Sequence, residues 1–130
     1  MQLWKKLYST IWLAFFACVL VPRWMGAPLG LPVHGILGLL LLFLVWSNAH
    51  QLQALQVPDR LKRIIRVTKG LAIFQFVSGL GLGALRHLAP DLPAVPAVVQ
   101  GIHIVCALAI LAQASSVATA YDMYEEKEYE

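Results

Sequence analysis

The 130-residue chain contains four histidines: His34, His50, His87 and His103. Two of them open long apolar runs, His34 in "LPVHGILGLLLLFLVW" and His103 in "VVQGIHIVCALAILA". An imidazole can ligate a metal through either ring nitrogen or move a proton near neutral pH. Placing one inside so apolar a stretch is costly, so each reads as a functional residue. The chemistry narrows by what is missing. Zinc and di-iron centres want three or more convergent ligands, commonly with carboxylates. All seven acidic residues lie outside the apolar runs. A carboxylate-bridged metal site therefore cannot be assembled there, and the same lack argues against proton-coupled transport. No nucleophile–base pair or phosphate-cradling loop occurs.

The elements that must position these imidazoles follow from composition. Apolar residues make up 59% of the chain and charged residues 13%. A water-soluble domain is nearer 45–50% apolar and about 25% charged. The expected fold is all-α: one integral membrane domain over residues 1–130, built as a four-helix up-down bundle. The apolar runs place helices at about 7–25, 31–52, 64–86 and 95–121, followed by an acidic tail at 122–130. A helix needs roughly 20 apolar residues to cross a bilayer core, and the first run is near the short limit. Lys5 and Lys6 precede it as in a signal peptide, but no small-residue cleavage site follows, so the helix is expected to be retained. The stretches "VPRWMGAPLGLP" and "APDLPAVP" read as loops, because Pro ends helices. Cys18 and Cys106 read as small packing residues.

Orientation follows from Lys and Arg. Lys5, Lys6, Arg60, Lys62, Arg63, Arg66, Lys69 and Lys127 fall on one side, and only Arg23 and Arg86 on the other. Both termini are expected in the cytoplasm, with the chain a multi-pass protein of the inner or plasma membrane. The net charge of +3 sits at membrane edges, which suits a lipid bilayer and not a nucleic acid.

On this topology the second and fourth helices run the same way. His34 lies about one turn into one and His103 about two turns into the other, so the two share a depth near the outer face. They would face each other across the bundle, as axial ligands of a haem iron do. Without a CxxCH motif the haem would be non-covalent, haem b or a relative. A flat plate needs room, which Gly35 and Gly38 beside His34 can supply. Gln75, Gly79 and Gly83 form a stripe on the third helix, although such stripes also serve plain helix packing. Arg86 and Arg23 lie where haem propionates would emerge, and Arg can bond a carboxylate with two parallel N–H groups; a helix-end Arg also simply reaches for the interface. His87 reads as a solvated loop residue. His50 is 16 residues from His34, about 24 Å along a helix, and reads as interfacial.

The segments "VHGILGLLLLFLV", "FQFVSGLGLGAL" and "IHIVCALAILAQ" resemble one four-helix half of haem A synthase, over about residues 31–115. The resemblance implies a four-helix bundle with haem ligands at His34 and His103. The family's acidic residue in its first helix has no counterpart in "LYSTIWLAFFACVLV", and the paired outer-loop cysteines of many bacterial members are missing. Four-helix membrane anchors of quinone-linked dehydrogenases are similar too. The expected function is electron transfer by a small b-type membrane cytochrome. Its partner would be a quinone or a redox subunit, in a larger complex or a homo-oligomer. Two alternatives stand beside it: a half-size synthase oxidising a haem methyl group, and a cofactor-free subunit of a membrane complex.

Overall fold

A computed structural model describes residues 2–20, 26–88, 91 and 94–128. All secondary structure among them is helical. Helix α1 spans Leu3–Phe15 and passes directly into a π-helical turn, Phe16–Leu20. Helix α2 is Gly26–Ala54, α3 is Asp59–Leu88 and α4 is Ala94–Glu128. Three of the four, α2, α3 and α4, are long and apolar enough to cross a membrane. At 1.5 Å per residue the 13 residues of α1 cover only about 20 Å.

Several boundaries differ from expectation, each for a physical reason. Helix α2 starts at Gly26 instead of near residue 31 and carries Pro32 inside it. Pro28 falls in the first turn, where an N–H has no helical partner to lose. Pro32 removes one bond, and the rest of a 29-residue helix continues past it. Helix α3 starts at Asp59 because the Pro58 carbonyl accepts the Leu61 and Lys62 N–H groups at 2.9 and 3.3 Å. Asp59 in the first turn also meets the positive end of the helix dipole. His87 lies on α3, so its placement in a loop is corrected. Helix α4 runs on to Glu128, so the stretch expected as a loose acidic tail is helical through that point. It is held there: Tyr8 donates to Asp122 at 2.5 Å, and Tyr124 donates to the Gln56 carbonyl at 2.8 Å.

Each helix packs on two neighbours. Helix α1 touches α2 and α4, α3 touches α2 and α4, and among the described residues the diagonal pairs α1–α3 and α2–α4 make no close backbone approach. One cluster of buried side chains joins Leu7, Ala49, Leu52, Leu61, Ile65, Val117 and Tyr121. The next joins Ala14, Leu41, Val45, Ala72, Cys106 and Ile110. Polar links cross the helices between them. Asn48 donates to the Thr10 hydroxyl at 2.9 Å, and the Thr68 hydroxyl shares its proton between the Ile64 carbonyl and Gln113 Oε1, both at 2.9 Å. Large apolar side chains cover the outside, among them Leu39, Phe43, Val77, Leu80 and Val105, as a lipid-facing surface requires.

Candidate functional site: a histidine pair

Among the described residues the buried hydrophobic side chains stop at Ala17 in the π-helical turn, Leu41 on α2, Ala72 on α3 and Cys106 on α4. The histidine pair begins where that core ends. His34, two turns beyond Leu41, and His103, one turn beyond Cys106, reach across the diagonal that their helices do not close. Their ring centres are 6.1 Å apart, with the ring planes at 56°. Both side chains are half-buried.

The tautomer of each ring follows from its partner. His34 Nδ1 lies 3.1 Å from the Ala17 carbonyl. A carbonyl only accepts, so Nδ1 carries the proton and Nε2 holds a lone pair. Ala17 lies in the π-helical turn Phe16–Leu20. On the other side, His103 Nδ1 lies 3.1 Å from Ser78 Oγ. Ser78 already spends its one proton on the Gln75 carbonyl at 3.0 Å. With its proton held there the Ser78 oxygen accepts, and His103 then also carries its proton on Nδ1 and a lone pair on Nε2. No protein group among the described residues bonds to either Nε2.

This is the donor set of a histidine ligand with its second nitrogen anchored, the arrangement that fixes ring orientation and strengthens a metal–imidazole bond. The spacing suits one iron between two rings. With about 2 Å from metal to nitrogen and about 1.1 Å from nitrogen to ring centre, two opposed imidazoles have centres roughly 6 Å apart. Among the described residues no three His, Cys, Asp or Glu side chains converge, so the pair has no third ligand of those types.

The glycines divide into two kinds. A methyl at Gly79 would lie 3.0 Å from His103 Cε1, so the imidazole rests directly on the α3 backbone. Methyls at Gly35, Gly38 and Gly83 would meet nothing within 4 Å. Gly38 shares a face with His34, and Gly83 shares one with Gly79. Both are half-exposed. Gln75, one turn before Gly79, adds a buried Oε1 with no hydrogen-bond partner. The site thus offers a ligand two glycines without close neighbours, an unpaired acceptor and two ring nitrogens with no protein partner among the described residues.

The remaining expectations sort as follows. Arg86 is exposed at the same end and donates to Gln100 Oε1 at 2.8 Å, one turn from His103. Arg23 and the His87 side chain lie outside the described residues. His50 is remote from the pair and lines a different recess, with Trp46, Ala49, Gln53, Arg66 and Lys69. Both cysteines are free thiols, and Cys106 donates weakly to the Leu71 carbonyl at 3.6 Å. Sequence reasoning missed Ser78 and the Ala17 carbonyl. Ser78 left a faint signal, a hydroxyl beside the glycine stripe in "FVSGLG". The carbonyl left none.

Comparison with protein-family models, curated proteins and solved structures finds no match. The site therefore has to be read from its own chemistry.

Proposed function

We propose that the chain is a four-helix integral membrane protein, both termini cytoplasmic, that holds a b-type haem between His34 and His103 and transfers electrons. One observation carries the reading. Two imidazoles lie with ring centres 6.1 Å apart, each with Nδ1 hydrogen-bonded and, among the described residues, no protein partner on Nε2. A haem in this setting supplies reversible one-electron chemistry at iron.

The chain's own residues supply the rest. His34 and His103 would hold the haem iron between them, and two imidazole ligands favour electron transfer over oxygen binding. Ala17 and Ser78 hold the ligand rings and keep Nε2 deprotonated. Gly79 lets His103 sit against the α3 backbone, while Gly38 and Gly83 have no close neighbours. Arg86, exposed at the same end, provides a cation for the carboxylates of the cofactor. The excess of Lys and Arg at the opposite end supports the orientation. A quinone or a redox subunit would exchange electrons with the site.

The synthase-like alternative draws no support from α1, whose described residues contain no carboxylate. The absorption spectrum of the purified protein tests the proposal. Sharp reduced α and β bands, lost in both His34→Ala and His103→Ala, are expected. A colourless protein that stays colourless when haem is supplied points to a cofactor-free subunit and overturns the reading.

A further inference from the structure

A second cluster of chemistry lies at the other end of α2 and α3. Trp46, Ala49, His50 and Gln53 share one face of α2, and Arg66 and Lys69 share one face of α3. Together they line a recess of about 270 Å³. Ala49 is buried and small, which makes the floor low. No carboxylate lines the recess, so two cations and an imidazole stand without an acidic counter-charge there. Lys69 Nζ lies 4.6 Å from the centre of the Trp46 ring, so the indole face holds the ammonium beside the opening.

The walls continue as apolar surface. On α2, Leu39, Phe43 and Trp46 form one exposed stripe that ends at His50. On α3, Ile73, Val77 and Leu80 are exposed beyond Lys69. The recess is thus charged at its base and greasy along its open side. A freely dissolved anion would use only the base; an acyl-chain-bearing anion would use both.

We infer that this recess binds the phosphate headgroup of an anionic phospholipid, with Arg66 and Lys69 on the phosphate and the acyl chains along the Phe43 and Val77 stripes. Arg can bond two phosphate oxygens at once, and Lys acts as a point charge. Basic recesses between membrane helices on the cytoplasmic side are suited to such headgroups. His50 and Gln53 add hydrogen bonds at the rim. The inference rests on the membrane reading and its orientation, and it is independent of the haem.

The test is native mass spectrometry of the full-length chain in detergent, titrated with phosphatidylglycerol or phosphatidylcholine. Phosphatidylglycerol is expected to bind several-fold more tightly, and Arg66→Gln with Lys69→Gln should weaken it roughly ten-fold. A matched loss of charge on the same helix, Arg60→Gln with Arg63→Gln, should leave most of the binding. Either single variant, Arg66→Gln or Lys69→Gln, serves if the double variant does not fold, with a several-fold loss expected. Equal binding of the two lipids overturns the inference, and so does an equal loss in both double variants. Displacement by millimolar inorganic phosphate assigns the site to a soluble anion and overturns the lipid assignment. The haem spectrum of each variant should be unchanged, which separates failure here from failure of the histidine site.

Discussion

Ser78→Ala should weaken haem binding about ten-fold while leaving the helices folded. The Ser78 oxygen lies 3.1 Å from His103 Nδ1 and is its one polar partner among the described residues. Removing it strands a ring N–H. A fully buried unsatisfied donor costs about 1–3 kcal/mol. His103 is half-buried, so water recovers part of this and about 1 kcal/mol remains. Losing the anchor also frees the ring to rotate and lowers its basicity as a ligand. Outer-shell losses of this kind cost about 10–100-fold in metal affinity, and the half-exposed ring belongs at the lower end. Ten-fold corresponds to about 1.4 kcal/mol. The assay is absorbance titration of the haem-free protein, with the reduction potential measured on the saturated form. Ser116→Ala is the control, because that hydroxyl only back-bonds to Ala112 at 3.0 Å. Unchanged affinity and potential in Ser78→Ala, with His103→Ala still colourless, would refute the tautomer argument. Rescue by Ser78→Thr, which restores the oxygen, is expected.

Gly79→Ala and Gly83→Ala gain the same helix propensity, about 1 kcal/mol, but only the first meets the imidazole, at 3.0 Å. Thermal unfolding in detergent should therefore rank Gly83→Ala above Gly79→Ala by about 1–3 kcal/mol; equal stabilities would show that His103 does not rest on α3. Thr10→Val should cost about 1 kcal/mol, since it leaves the buried Asn48 amide without its 2.9 Å acceptor. The double variant Thr10→Val with Asn48→Leu should recover most of the loss, because it also removes the unpaired Asn48 Oδ1; additive losses in the cycle would contradict this. Tyr8→Phe breaks an exposed contact to Asp122 and should change stability by less than about 1 kcal/mol, so a large shift in unfolding temperature would mean that the α4 terminus is docked more firmly than this contact implies.

The helices and the place of each histidine along them were legible because apolar length is a coarse signal, summed over many residues. The approach of His34 to His103 also followed from them, since equal depth on diagonal helices leaves little choice. What stayed hidden depends on single atoms. The Ser78 hydroxyl, the Ala17 carbonyl and the contact of His103 with Gly79 are set by rotamers and by a π turn. Pro32 misled because a long apolar helix tolerates one missing bond. The α4 terminus misled because its charge suggested a solvated tail, while Asp122 and Tyr124 dock on α1 and on the chain that follows α2. The recess between α2 and α3 was invisible because its residues lie at spacings that bring α2 and α3 together only in the fold.

The most direct measurement of the central claim is the haem content of the purified full-length chain after supply of haem, set beside the His34→Ala, His103→Ala double variant. One b-type haem per chain in the wild type and none in the double variant is the predicted result. No haem in the wild type, or the same low-spin haem retained in the double variant, would contradict it.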